Sequence, residues 1–197
     1  MGSGYSVNAE NALKKFIDSN SHDGKGSLKT QLVLTTKEGR YKLLMDVRGN
    51  NNIGTTGLLE SSHGNDLKTI EYMLHQFTSS QKCAVIEITS SDGNTALHYA
   101  ALNGSSSIIT YIMSDISEEE KFRILALQNE NEDTALHCAA SQQQPGVVEA
   151  ILTVLSLPQQ VQLLNMQNQQ GKTAVALRPD IQEEIPPLTK HGKFITT

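Results

Sequence analysis

The chain has 197 residues, 38% of them hydrophobic, a formal net charge of −5 and two cysteines. That is enough apolar material to bury a core, while no apolar run approaches the roughly 20 residues a helix needs to cross a bilayer, and no secretory apolar stretch is visible. The lysines and arginines are scattered, which argues against a nucleic-acid partner, because phosphate binding depends on clustered cations.

Met1-Gly2-Ser3-Gly4 reads as a cloning remnant and is set aside. Residues 5–49 form an N-terminal extension or cap. Within it, Asn8 to Ser19 is predicted as an amphipathic helix with Leu13, Phe16 and Ile17 on one side, ahead of a polar loop. Gln31 to Thr36 and Arg40 to Val47 flank Gly39, and the alternation of Tyr41, Leu43, Met45 and Val47 predicts a β-hairpin turning at that glycine.

From about residue 50 the chain becomes periodic. Thr56, Thr95, Thr134 and Thr173 stand 39 residues apart, and a fixed period of this size signals stacked supersecondary units. The spacing divides the chain into a degenerate first copy (50–88), two full copies (89–127 and 128–166), a partial capping copy (167–185) and a tail (186–197), where the sequence stops without a clear domain end. After each threonine comes a small residue (Gly57, Ala96, Ala135, Ala174) and then an aliphatic one (Leu58, Leu97, Leu136, Val175). A threonine before a helix can accept a hydrogen bond from an orphan N–H of the first turn, so this column reads as an N-cap. The pairs Ala100-Ala101 and Ala139-Ala140 follow, small enough for neighbouring helices to approach closely. Proline at 179 should end the fourth copy's helix.

A second helix is predicted from the columns Ile70/Ile109/Val148, Met73/Ile112/Ile151, Leu74/Met113/Leu152 and Phe77/Ile116/Leu155. Asn65 and Gly104 suit a left-handed turn between the helices, whereas Gln143 departs from that pattern. A short third helix is predicted where Thr78, Ser117 and Ser156 are each followed three residues later by Gln81, Glu120 and Gln159, the capping-box arrangement. Behind it, four columns are expected in the core: Cys83/Phe122/Val161, Val85/Ile124/Leu163, Ile86/Leu125/Leu164 and Ile88/Leu127/Met166.

The segments Asp92-Gly93-Asn94-Thr95-Ala96-Leu97-His98-Tyr99-Ala100-Ala101 and Asp133-Thr134-Ala135-Leu136-His137-Cys138-Ala139-Ala140 resemble the G-x-T-P-L-H-x-A-A core of the ankyrin repeat. The implied fold is mostly α: a solenoid of stacked helix-turn-helix repeats, here with an extra short helix per repeat, because 39 residues exceed the family's usual length of about 33. The resemblance also assigns His98 and His137 to a slot where the family uses histidine to tie a turn to its neighbours. Glu132 replaces the turn glycine of Gly54, Gly93 and Gly171, so that turn either differs in shape or is strained.

No catalytic, cofactor or metal set converges. Cys138 lies beside His137, but adjacent helical residues point about 100° apart, so adjacency does not make a thiol–imidazole pair. Glu118, Glu119 and Glu120 sit where carboxylates favour a helix start. Gly171-Lys172-Thr173 lacks the upstream glycine of a phosphate loop. Asn165 to Gln170 reads as solvated loop. Neither cysteine has a metal-like C-x-x-C spacing, so a reducing, cytoplasmic compartment is the simplest reading.

What the resemblance implies instead is a non-catalytic adaptor that holds a protein partner on a concave face of turn tips and inner helices. By motif position the face comprises Ser91, Asp92, Asn94, Glu130, Asn131, Asp133 and Lys172 at the tips, with Tyr99, Leu102, Asn103, Ser141 and Gln142 on the inner helices. Tyr99 serves either as an apolar anchor for the partner or as packing between inner helices. A second reading places an enzymatic activity in residues 5–49, where Asp46, Arg48 and His22 lie, or in a missing domain. The Thr-Ala-Leu-His motifs and Asn/Gln-rich loops also look like those of effectors that intracellular bacteria deliver into the host-cell cytoplasm. Oligomeric state and partner identity are left open.

Overall fold

The computed structural model describes residues 58–59, 61–75 and 77–181. The predicted N-terminal helix and hairpin, the candidates Asp46, Arg48 and His22, and the tail lie outside the described residues. Nine helices follow Ser62 in the described part, and no strand occurs among the described residues. They are α1 (Leu67–Leu74), α2 (Ser79–Ile86), α3 (Ala96–Leu102), α4 (Ser106–Met113), α5 (Glu118–Leu125), α6 (Ala135–Ser141), α7 (Pro145–Thr153), α8 (Leu157–Asn165) and α9 (Ala174–Leu177).

Like helices stack on like in three ladders. The inner helices α3, α6 and α9 pack in succession, the outer helices run α1, α4, α7, and the third helices run α2, α5, α8. None exceeds nine residues, well short of the about 12–15 at which an isolated helix becomes even marginal in water, so each depends on its neighbours for stability. The sequence columns explain the stacking. Ala96, Ala100, Ala101, Ala135, Ala139 and Ala140 are all buried, so inner helices approach without intervening bulk. In the first copy Ser61 and Ser62 take the alanine places and are buried too; the Ser62 hydroxyl is satisfied by donating to the Leu58 carbonyl at 2.8 Å.

All four outer-helix columns are buried in every copy. The third helix departs from expectation. Its two middle columns are core, but Phe122, Val161, Ile88, Leu127 and Met166 are only half-buried, whereas Cys83 in the first copy is buried. Its caps form as the sequence predicts at Thr78, where Gln81 N–H donates to the threonine hydroxyl at 3.3 Å and the Gln81 side chain accepts from Thr78 N–H at 3.1 Å. At Ser117 the hydroxyl likewise accepts from Glu120 N–H, at 3.3 Å, but the Glu120 carboxylate accepts from that hydroxyl, at 2.9 Å, rather than from the backbone. Ladders are tied sideways as well: buried Lys82 on α2 reaches Asp115 at 3.4 Å and lies 5.8 Å from the centre of the Tyr111 ring.

The turn between inner and outer helices is the same three times. Asn65, Gly104 and Gln143 have φ of 54°, 72° and 54°. After α3, Ser105 N–H donates to Ala100 O and Gly104 N–H to Ala101 O; after α6, Gln144 and Gln143 do the same to Ala139 and Ala140. This is the Schellman closure, so Gln143 keeps the fold's turn and adopts a left-handed backbone to do so.

Leu136→Ala, at a position with 0% exposure, is expected to cost about 2–5 kcal/mol, and half-buried Val175→Ala in the same column clearly less. Urea denaturation midpoints compare them directly, and a wild-type midpoint for Leu136→Ala would contradict the assignment. In the tip column, Glu132 has φ of 57° where Gly93 and Gly171 have 73° and 70°. Glu132→Gly should therefore stabilise by about 0.5–1 kcal/mol, since relief of the left-handed strain exceeds glycine's entropy cost. Gly93→Ala should destabilise more than Gly171→Ala: a Cβ at Gly93 would lie 2.8 Å from the Glu130 nitrogen, whereas none meets anything within 4 Å at Gly171.

Candidate protein-binding face

Each inner helix begins below a tight tip. In the tip of 90–94, Ser90 N–H donates to Asn94 O and Gly93 N–H to Ser90 O; residues 129–133 and 168–172 repeat both bonds. Glu132 therefore sits in a turn of unchanged shape, and the strain is carried in its backbone. Two side chains hold these tips that motif reading did not single out. Asn129 Oδ1 accepts from the N–H groups of Asn131 and Asp133, each at 3.0 Å, while its amide donates to Asn94 Oδ1 at 2.8 Å. Asn168 repeats the arrangement, accepting from Gln170 and Lys172 and donating to Asp133 Oδ1 at 2.8 Å. Asn168 is buried rather than part of a solvated loop. The recurring column Ser90/Asn129/Asn168 was the available signal, obscured by the surrounding Asn and Gln.

Below each tip the threonine and histidine make a bridge between units. Thr95 N–H donates to His98 Nδ1 at 3.1 Å, so Nδ1 is the unprotonated nitrogen and Nε2 carries the proton, which it donates to Asp133 O at 2.9 Å. His137 does the same, with Thr134 N–H at 3.3 Å and Lys172 O at 3.1 Å. Histidine thus occupies the capping-box position, giving one nitrogen to its own helix start and the other to the next tip. Backbone bonds join adjacent tips too: Glu130 N–H to Asp92 O at 3.2 Å, and Gln169 N–H to Asn131 O at 2.9 Å.

Both imidazoles are buried, and burial pushes their pKa values below the ordinary one, outweighing the carbonyls they face. Both ring nitrogens of each are already engaged, so His137 has none left for Cys138. Burial, then the Asp133 charge, pushes the Cys138 thiol up to about 12, which keeps it protonated at neutral pH. Cys83 is also buried, and its thiol is raised first by burial and then by Glu120. Among the described residues no group of His, Cys, Asp and Glu gathers so as to hold a metal ion, and no described helix is long and apolar enough to cross a membrane.

With the bridges accounted for, the twelve face residues fall into three sets. Asn94 and Asp133 have side chains occupied by the next tip's asparagine, Asn103 donates to Tyr99 O at 3.0 Å, and Ser141 donates to Cys138 O at 2.9 Å. The side chains of Ser91, Asp92, Glu130, Asn131, Gln142 and Lys172 are exposed. Tyr99 and Leu102 are half-buried against the core, one turn apart on α3, and the His63 ring meets Tyr99 edge-on at 5.7 Å between centroids. In the next unit the same columns hold Cys138 and Ser141, so side-chain bulk drops away from α3 to α6.

The profile described as ankyrin repeats (3 copies) matches residues 6–122 and 58–163. The chain belongs to the ankyrin-repeat family. Its fold is also similar to a chain in the crystal structure of the yeast ribosomal protein Rps3 in complex with its chaperone Yar1, with TM-score 0.52, 21% identity, and coverage of 64% of this chain and 83% of that one. No curated protein sequence matches.

The buried histidines predict acid sensitivity. A group whose pKa is lowered on folding binds more protons when unfolded, so its contribution is full above the unfolded value of 6.5 and is lost as pH falls below it. Unfolding free energy measured from pH 7.5 to 5 should fall with a slope of up to about 1.4 kcal/mol per pH unit for each histidine. His98→Gln/His137→Gln should be less stable at neutral pH and show a flatter profile; an unchanged slope would contradict the burial of the two imidazoles in their neutral form.

Proposed function

We propose that the chain is a non-catalytic interaction module that holds a protein partner on the concave face formed by its tips and the inner helices α3 and α6. One observation carries this: the alanine, histidine and outer-helix columns that recur in register are buried between units, whereas the tip side chains Ser91, Asp92, Glu130 and Asn131, which vary from copy to copy, are exposed. Stacking uses the former and leaves the latter to recognition. The fold-level neighbour, a structure of a chaperone with its ribosomal protein, is in keeping with binding protein. The unit boundaries at 50, 89, 128 and 167 belong to the same proposal, as does a reducing, cytoplasmic setting, supported by two free, buried cysteines. The bacterial-effector setting rests on sequence resemblance alone.

Quantitative affinity capture from a eukaryotic lysate tests the reading. Tyr99→Ala/Leu102→Ala/Asn131→Ala should lose at least about tenfold of a specifically captured protein, because such anchors cost one to several kcal/mol each. Gln162→Ala, at an exposed position on α8, should lose none. Equal capture by all three proteins would count against the face.

A further inference from the structure

The chemistry of this face is uneven, and the unevenness points to a class of partner. Its apolar part is concentrated in one unit, where Tyr99 and Leu102 present half-buried surface with His63 set edge-on against the tyrosine ring. Beyond it the helix edge carries Ser141 and Gln142, both exposed and polar. The tips that lead into α3 and α6 are acidic. The bond from Glu130 N–H to Asp92 O places those two residues side by side on adjacent tips, and Glu132 follows within the second tip. All three are exposed, and among the described residues none takes part in an ion pair. The left-handed backbone at Glu132 adds to the contrast, since a glycine there would relieve strain but remove a carboxylate. Lysine enters the tips only at Lys172, one unit further along.

We propose that the occupant of this face is a cationic protein segment, with an apolar side chain seated on Tyr99 and Leu102 and flanking lysines or arginines against the carboxylates of Asp92, Glu130 and Glu132. This rests on the concave-face reading above. Charge complementarity selects the class: a row of exposed carboxylates without an ion-pair partner among the described residues raises the association rate of a basic chain and repels an acidic one, while the aromatic and aliphatic shelf holds what has been steered in.

The test uses the full chain and two synthetic peptides of equal length, read by fluorescence anisotropy at low and high salt. One carries a central Leu-Phe pair flanked by lysines and arginines, and its counterpart has glutamate in place of each cation. The basic peptide should bind at least about tenfold more tightly than the acidic one, and more weakly as salt rises. Asp92→Asn/Glu130→Gln/Glu132→Gln should weaken it about tenfold at low salt, the combined effect of three exposed pairs. Tyr99→Ser/Leu102→Ser should weaken it at both salt concentrations. Circular dichroism and urea midpoints establish that each variant is folded. Equal affinity for both peptides, no binding of the basic one, or indifference to the charge variant overturns the cationic class. Binding lost only through Tyr99 and Leu102 would leave the face standing without that class; basic-peptide binding unaffected by either variant would overturn both.

Discussion

The array depends on a buried histidine that faces two ways. Nδ1 of His98 accepts from Thr95 N–H at the start of its own helix, and Nε2 donates to the carbonyl of Asp133 in the next tip; His137 repeats this with Thr134 and Lys172. Helices of seven to nine residues gain too little from their own hydrogen bonds to persist, so the link between units has to be specific as well as hydrophobic. A neutral imidazole is the side chain that can accept on one edge and donate on the other from a single rigid ring, which sets both the helix start and the separation of consecutive tips.

Around that bridge the polar groups are spent in a consistent order. Backbone bonds join neighbouring tips, Asn129 and Asn168 close their own tips and reach the preceding one, and the threonine column caps the inner helices. This leaves few buried polar atoms unpaired and commits Asn94 and Asp133 to the interior of the ladder despite their place at the tips. On the proposed face, this leaves recognition to the exposed tip residues Asp92, Glu130 and Asn131 and to the solvent-facing parts of Tyr99 and Leu102, which also pack against the core. A solenoid can vary these without disturbing its stacking, because each unit touches only its neighbours.

Much of this was legible in the chain itself. A 39-residue period with small, aliphatic and histidine columns in phase states the fold almost completely, since an apolar column recurring at helical spacing has no purpose except burial between units. The capping boxes of the third helix were readable for the same reason. Less legible was the depth of burial: Phe122 and Val161 share a column with Cys83, yet they are half-buried where it is buried. Asn168 was hidden by composition, as its role lies in partners 35 residues away.

The sequence by itself determined where the helices begin, which faces pack, and that the units repeat, because caps, periodicity and small-residue columns are local and additive signals. Only the tertiary structure decided that Glu132 and Gln143 keep the glycine turns at the expense of a left-handed backbone, which nitrogen of each histidine carries the proton, and which tip side chains remain free. Those outcomes depend on groups brought together from different units, and a strained or doubly bonded residue is held in place by neighbours that its own segment does not contain.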